Sequence, residues 1–311
     1  MKPFVVFLSL GLLPTPALAQ SLATGPGASP DAGERPSLRY VTGSAATDTG
    51  DTALDAANAG GPAVVDPDPA QRPYDGLSLS AGMSLASGHF GAARNTTLIS
   101  APVGIRYVVG GLRLSLVVPY MRIKSDGTVF TGIDGSPLIV APSFPKPRRV
   151  SEGVGDPTLG LSYFVPATAS IGVDLDLSLR VKVPLAATST MVSTGKTDVA
   201  VGVQASRVIG IATPFVSITY RMFGDSGPWR LRNGLASSVG VSAPVWKAVV
   251  LIGSYNYAQS ASVFVANSHE LFFGVSSPIA HTALRLTAFA TAGLSSGAAD
   301  TATGLSVALK L

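Results

Sequence analysis

The sequence predicts an all-β protein, an antiparallel transmembrane β-barrel of about 12 strands with a flexible N-terminal extension. From residue 75 to the end of the chain, apolar residues alternate with small or polar ones, which is the repeat of strands with two different faces. The connections alternate as well, because short turns follow every second strand and most other connections are longer. Short turns at one end and long loops at the other are typical of outer-membrane barrels.

The clearest strand is the stretch 171–185, in which every odd position is apolar. Its even positions carry the charges Asp174, Asp176, Arg180 and Lys182. A soluble β-sandwich would bury such an apolar row in its core, whereas a membrane barrel would turn the row to lipid and the charges to an aqueous lumen. The sorting of loop lengths favours the barrel, because a sandwich has no need of it.

The composition is that of a membrane protein without membrane helices. The chain is 46% hydrophobic and only 13% charged, and its mean hydropathy is +0.39. Beyond residue 19, no apolar run approaches the ~20 residues that a transmembrane helix needs. The 311 residues include no Cys, which excludes disulfides, zinc–thiolate sites and thiol catalysis.

The chain divides into three parts. Residues 1–19 combine a charged start, an apolar run and an A-x-A cleavage pattern, as in a secretory signal peptide. Residues 20–73 are rich in Ala, Gly, Pro and Asp and are interpreted as a flexible periplasmic segment, with a plug inside the barrel as the alternative. This segment has three basic and seven acidic residues, a net charge of −4. Residues 74–311, predicted to form the barrel, have 18 basic and 11 acidic residues, a net charge of +7.

Twelve segments of the barrel region follow the strand repeat. Val, Leu, Ile and aromatic residues form the outward rows, and Gly, Ser and charged residues form the inward ones. Pro119 has no N–H to give to a β-ladder, so we expect a bulge in the third strand. The predicted strands cover residues 75–87, 96–108, 112–124, 156–165, 171–185, 197–208, 213–223, 233–243, 247–258, 268–277, 282–293 and 305–311.

The inward face is rich in Gly and Ser, which line a water-filled space better than they fill a packed core. Pairing strands about the centres of their turns places Lys182 opposite Asp198 and Asp156 opposite Arg180. We interpret these pairs as cross-links of the wall, with a solute-facing role as the alternative. The predicted pore-lining residues are Arg106, Arg113, Asp174, Asp176, Arg180, Lys182, Asp198, Arg221, Glu270 and Arg285.

Two of these residues are interpreted differently from the others. Arg106 and Arg113 flank the tight turn at Gly110-Gly111, and the pairing gives neither of them an acidic partner. We therefore expect this doublet to face the solute and to favour anions.

Catalytic and cofactor patterns are weak in this sequence. Ser268 and His269 supply the residue types of a hydrolase, but neighbours on a strand point to opposite faces. There is no phosphate-binding loop, no metal-ligand spacing and no basic cluster with interleaved aromatic residues. We predict that the protein is not an enzyme, carries no cofactor or metal and binds no nucleic acid.

Four short motifs resemble a known bacterial family. They are GVGD at 153–156, KVP at 182–184, TGKTD at 194–198 and GLSSGAAD at 293–300. With them, residues 75–311 resemble the outer-membrane transporters associated with the phenol meta-degradation pathway. The resemblance implies passage of small, often aromatic, compounds across the outer membrane, and it assigns no role to any residue. The chain departs from the family in Leu185-Ala186, which replaces Thr-Gly, and in Leu311, which replaces a C-terminal aromatic residue.

These observations predict a porin-like channel in the outer membrane of a Gram-negative bacterium. It would pass small solutes, aromatic or anionic, by passive diffusion. The expected partners are outer-membrane lipid, the solutes themselves and the barrel-insertion machinery. Two alternatives stay open: an outer-membrane hydrolase of the lipase or protease type, and a non-conducting structural or adhesive barrel whose long loop 125–155 is the working part.

Overall fold

The computed structural model describes residues 75–90, 94–125, 128–133, 137–141, 149–186, 192–224, 231–246 and 248–311. The predicted signal peptide and the predicted periplasmic segment both lie outside these ranges. No helix among the described residues has the length and apolar character needed to cross a membrane.

Almost all of the described regular structure is β-strand, as the period-two pattern predicts. A short 3₁₀ helix, Ala167–Ala169, accompanies the strands. The strands are β1 (Gly76–Gly88), β2 (Thr96–Val109), β3 (Leu112–Ser125), β4 (Thr128–Thr131), β5 (Pro137–Ala141), β6 (Arg149–Val154), β7 (Thr158–Val165), β8 (Asp174–Lys182), β9 (Asp198–Ser206), β10 (Thr213–Met222), β11 (Gly234–Trp246), β12 (Val249–Ala258), β13 (Ser268–Pro278), β14 (Leu284–Gly293) and β15 (Thr301–Lys310).

The strands close into a barrel. Each strand from β7 to β15 pairs antiparallel with the next, β15 pairs with β1, and β1, β2 and β3 complete the ring. β6 and β7 occupy one position, because both pair with β3, so the 13-stranded sheet has twelve positions around the barrel. The predicted fold, an antiparallel barrel of twelve strands, is confirmed. The remaining strands, β4 and β5, form a separate hairpin within the connection between β3 and β6.

The expected irregularity near Pro119 lies on the neighbouring strand and not in β3. β3 is continuous, and Pro119 stays in register opposite Pro102 of β2. On its other side the carbonyl oxygen of Pro119 accepts a hydrogen bond of 2.8 Å from Gly155 N, in the gap between β6 and β7. Because the missing N–H of Pro119 faces the same side, the ladder toward this position breaks there.

The outer face of the barrel is a continuous apolar surface. The side chains of Val103, Ile218 and Phe273 are 62%, 52% and 62% exposed, respectively, although they lie in the middle of well-formed strands. Such a surface is costly in water and favourable in lipid, and a closed barrel also leaves no backbone hydrogen bond unmade there. Aromatic residues mark both ends, as in membrane barrels: Tyr107, Tyr163 and Trp246 near the short turns, and Tyr220 and Tyr255 near the long loops.

Candidate functional site

The barrel interior, or lumen, is the candidate site. We call the end with the connections at 110–111, 166–173, 207–212, 247–248 and 279–283 the turn end, and the opposite end the loop end. All ten predicted pore-lining residues lie at inward positions of their strands. Asp174, Asp176 and Arg180 are half-buried and the other seven are buried. Their part in conducting a solute stays a prediction.

At the turn end, the arginine doublet does not have the arrangement we expected. Arg113 Nη1 lies 3.3 Å from Asp176 Oδ2, so Arg113 is part of an ion pair. Arg106 lies opposite Ser115 and Arg113 opposite Val108, which makes the two arginines diagonal neighbours. The expectation that the doublet has no acidic partner is therefore wrong: Asp176, two strands away on β8, reaches across β7 to Arg113.

Asp174 and Arg285 are also engaged near the turn end. Asp174 Oδ1 accepts a 2.7 Å hydrogen bond from Ala167 N and so holds the short 3₁₀ helix against the start of β8. Arg285 Nε donates to Ser276 Oγ at 2.8 Å, and one Nη reaches the carbonyl oxygen of Ala248 at 3.4 Å. Both side chains thus have a structural task in the wall.

At the loop end, Lys182 is the centre of a buried charged cluster. Its Nζ lies 2.7 Å from Asp198 Oδ2 and 3.5 Å from Asp156 Oδ2. The predicted pair of Lys182 and Asp198 is confirmed. The predicted pair of Asp156 and Arg180 is wrong, because Thr158 lies opposite Lys182 and brings Asp156 beside that lysine. The turn that fixes this register contains the 3₁₀ helix and extends to residue 173, which shifts its centre.

The Lys182 cluster also anchors two loop segments inside the barrel. Lys182 Nζ donates to the carbonyl oxygen of Thr131, at 3.5 Å, and to Thr194 Oγ1, at 3.1 Å. Ser193 Oγ donates to Asp156, and Thr131 N donates to the carbonyl oxygen of Val192 at 3.2 Å. The end of β4 and the segment before β9 are thereby tied to the wall and to each other.

Apolar side chains pack beside the Lys182 cluster at the loop end of the lumen. Ile133 and Val192 are 2% and 0% exposed, and Ile133 lines a small cavity together with Val117 and Met121. Close by, inward residues of β1, β2, β3 and β15 pack with loop residues. This second group consists of Ala86, Phe90, Leu98, Met121, Ile123, Val129, Ala299 and Ala302. The loop end of the lumen is therefore narrowed by folded loops.

The β4–β5 hairpin was not predicted, since residues 125–155 were interpreted as a loop. Thr128–Thr131 and Pro137–Ala141 carry short apolar runs on either side of a Gly-containing stretch. That is the ordinary sequence pattern of a hairpin and was the signal available.

A wall of hydrophobic rings covers another part of the lumen. Phe215, Phe272 and Phe289 point inward and pack with Val250 and Ile252. The rings of Phe272 and Phe289 are stacked, with centroids 5.8 Å apart and an interplanar angle of 24°. The alternation contained this information, because an outward Phe273 requires an inward Phe272.

Inward glycines make room for these rings. Gly240 lies opposite Phe215, and a Cβ there would come within 2.6 Å of the ring. Gly304 lies opposite Phe289, where a Cβ would come within 2.3 Å of the ring. We expected such small residues to line open water. At these two positions they are covered by aromatic side chains instead.

The residues considered for hydrolase chemistry are separated by the wall. His269 Nδ1 lies 2.6 Å from the hydroxyl oxygen of Tyr255, an outward residue, whereas Ser268 Oγ donates to Glu270 Oε1 at 3.0 Å on the inner side. Within the ranges given above, no group of three or more His, Cys, Asp or Glu side chains is placed to hold a metal.

Solved structures similar to this barrel include outer-membrane proteins. The COG4313 outer membrane channel from Pseudomonas putida F1 aligns over 80% of this chain and 100% of its own, with 12% sequence identity and a TM-score of 0.60. The CymD monoaromatic hydrocarbon channel aligns over 77% of this chain and 89% of its own, with 10% identity and a TM-score of 0.39. The translocator domain of the autotransporter NalP from Neisseria meningitidis aligns over 77% of this chain and 90% of its own, with 10% identity and a TM-score of 0.48.

The similarity to the COG4313 channel shows a shared fold. The similarities to CymD and to the NalP translocator domain do not, because their TM-scores are below 0.5. No family model matches the sequence, and no curated protein matches it either. The chain is an outer-membrane β-barrel. Its closed strand ring and its apolar outer surface place it in the outer membrane of a Gram-negative bacterium, in contact with lipid. The link with the phenol pathway and the need for barrel-insertion machinery stay predictions.

Proposed function

We propose that this protein is a passive channel that carries small aromatic solutes across the outer membrane. The observation that carries the proposal is the inner face. Polar and charged side chains follow it from the turn end to the loop end, and a wall of aromatic rings lies among them. A purely structural barrel has no need of an interior with this mixture of side chains.

The architecture supports this function. The loops after β3 and β8 narrow the loop end, and the hydrogen bonds and the buried ion cluster that help to hold them there are contacts that can rearrange. The structure with the same fold is itself an outer membrane channel. We do not assign the protein to an enzyme class, because Ser268 and His269 lie on opposite faces of the barrel.

The test is transport by the purified full-length protein. We expect single-channel currents in planar bilayers and passage of benzyl alcohol and toluene into liposomes that contain the protein. Liposomes with heat-unfolded protein are the control. The absence of both currents and solute passage would exclude the channel and favour a structural or adhesive barrel.

The hydrolase alternative has its own readout. Lipid or peptide turnover that survives purification and disappears in His269→Ala would replace the channel by an enzyme. We expect no such turnover, and we expect His269→Ala to leave solute passage unchanged, because His269 bonds to outward Tyr255.

A further inference from the structure

The outward row of β3 changes from apolar to basic at the loop end. Over residues 112–120 its outward side chains are apolar or aromatic, and the last of them, Tyr120, is 48% exposed. These nine residues are about the length of a tilted strand that crosses a membrane. The next two outward residues are Arg122 and Lys124, and both are exposed. They lie about 6.5 Å apart along the strand, so they form a pair of cations at the edge of the membrane, on its lipid side.

This arrangement is particular to β3. Among the described strands, β3 alone continues its outward row into Lys or Arg at the loop end. Lys124 lies opposite Thr97 of β2 on one side and opposite Val150 of β6 on the other. Neither neighbour supplies a carboxylate to Lys124, so its ammonium group is available to an anion from outside the protein.

Arg122 has an acidic neighbour that engages only part of its guanidinium group. Arg122 Nε lies 3.4 Å from Glu152 Oε2, and the two side chains are 56% and 53% exposed. Such an exposed ion pair contributes little to stability. Because a guanidinium group has five N–H donors, the contact at Nε leaves the two Nη groups for another acceptor. Glu152 therefore orients Arg122 without using up its capacity to bind an anion.

The loop end as a whole is positively charged. Outer-membrane barrels place their long loops on the extracellular side, so this end faces the outer leaflet of the membrane. Of the residues that the structure describes there, six exposed bases stand against two exposed acids, a net charge of +4. Basic residues at a membrane surface attract anionic lipid headgroups. The bases are Arg94, Arg122, Lys124, Arg149, Lys196 and Arg232, and the acids are Glu152 and Asp300.

The surface below the two cations is suited to acyl chains. Tyr120 lies opposite Val154 of β6, which is 55% exposed, and Leu114 farther down the same row of β3 is 46% exposed. Tyrosine is enriched where the lipid headgroups meet the hydrocarbon. Going from the middle of the membrane outward, the wall thus presents apolar side chains, then an aromatic ring, then two cations. A phosphorylated lipid has the complementary order of groups.

We propose that Tyr120, Arg122 and Lys124 of β3, with Val154 of β6, form a binding site for lipid A, the phosphorylated glycolipid of the outer leaflet. We call this surface the β3 lipid site. A phosphate of the lipid accepts hydrogen bonds from the Arg122 Nη groups and from Lys124 Nζ, since arginine in particular matches phosphate oxygens in pairs. The acyl chains cover Val154 and the apolar row of β3. The site lies outside the barrel and does not depend on the proposed transport function.

The experiment compares diphosphoryl lipid A with dephosphorylated lipid A that has the same acyl chains. Each is titrated onto the full-length protein in nonionic detergent, and the bound lipid is counted by native mass spectrometry. We expect the phosphorylated form to bind about tenfold more tightly or better, with a smaller difference at high salt. Inorganic phosphate at the same concentration should not displace the lipid, because the chains supply much of the affinity. Equal affinities of the two lipids, or displacement by inorganic phosphate, would overturn the proposal.

Variants with matched changes of charge locate the site. Arg122→Gln combined with Lys124→Gln should weaken the binding of diphosphoryl lipid A about thirtyfold, the effect of two surface cations. Lys196→Gln combined with Arg207→Gln removes the same charge from exposed positions outside the site and should leave the affinity unchanged. Equal weakening in the two double variants would mean that net charge alone attracts the lipid, and the proposal would be wrong.

A variant with the opposite effect completes the test. Glu152→Gln should tighten the binding severalfold, because Arg122 loses the acid that competes with the phosphate. If the double variant at Arg122 and Lys124 does not fold, Lys124→Gln alone should still weaken binding about fivefold, since Lys124 has no carboxylate opposite it. Unchanged binding in both folded Lys124→Gln and Glu152→Gln would exclude the site. Solute passage should be the same in all these variants, so the proposed channel function is tested separately.

Discussion

Lys182 Nζ lies 2.7 Å from Asp198 Oδ2 on the neighbouring strand, and the two side chains are 3% and 0% exposed. Asp156 Oδ2 is the second carboxylate at the same ammonium group, 3.5 Å away. A buried charge that loses its partner is strongly destabilising, whereas an intact cluster adds little beyond the cost of burying it. The Lys182 cluster is therefore important mainly for what it holds, namely the two loop segments at Thr131 and Ser193–Thr194.

We predict that Lys182→Met destabilises the barrel by about 3–5 kcal/mol, because it leaves two buried carboxylates uncompensated. The free energy of unfolding is measured by urea titration in detergent. The same variant should show a larger single-channel conductance, since Thr131 and Thr194 lose their anchor. Lys196→Met is the matched control, because Lys196 is exposed just before β9 and should change neither quantity. Similar stability of the two variants would contradict the prediction.

The turn-end arginines set a prediction about ion selectivity. Replacing both Arg106 and Arg113 by Ser removes two inward positive charges and should shift the reversal potential in a salt gradient toward cations. Asp176→Asn should shift it in the opposite direction, because Arg113 keeps its charge and loses its partner. Both are read in planar bilayers. An unchanged reversal potential in both variants would show that these charges only cross-link the wall.

Gly304→Ala should destabilise the barrel by about 1–3 kcal/mol through overpacking. Its new Cβ would come within 2.3 Å of the Phe289 ring, which is stacked on Phe272 and cannot move freely. Gly253→Ala is the control, because a Cβ there would approach nothing closer than 3.9 Å. The thermal midpoints of the two variants are compared in detergent. Equal midpoints would mean that the Phe289 ring shifts to admit the new methyl group without loss of stability.

Deletion of residues 20–73 tests the predicted flexible periplasmic segment. The barrel strands begin at Gly76, so we expect the shortened protein to fold and to conduct as the full chain does. Circular dichroism and single-channel recording check the two halves of this prediction. A clear rise in conductance would instead favour the alternative in which the acidic segment enters the lumen.

The strand faces were predictable from the sequence because period-two alternation is a local property. The row from Ile171 to Leu185 already assigned Lys182 to the lumen, and the alternation over 197–208 did the same for Asp198. A loop centred at residue 190 then gave their register correctly. The pair of Asp156 with Arg180 failed because register depends on turn geometry, and an eight-residue turn with a 3₁₀ helix is not evident from its length.

The contents of the lumen were less predictable because they depend on contacts between distant strands. Arg113 meets Asp176 two strands away, beyond the neighbour that hairpin pairing considers. The cluster of inward phenylalanine side chains brings Phe215 of β10 together with Phe289 of β14. The docking of Thr131 on Val192 joins two loops that are far apart in the chain.

The inward phenylalanine side chains of β10, β13 and β14 make the two sides of the lumen chemically different. Strands β2 to β9 contribute Arg106, Arg113, Asp176, Arg180, Lys182 and Asp198 to the interior, whereas β10 to β14 contribute the three phenylalanines and fewer charges. A molecule with one polar and one apolar edge therefore meets a different surface on each side, and its rotation about the barrel axis is restricted. We expect passage to depend on where substituents sit around a ring as well as on their number, so that isomers of equal size and polarity travel at different rates.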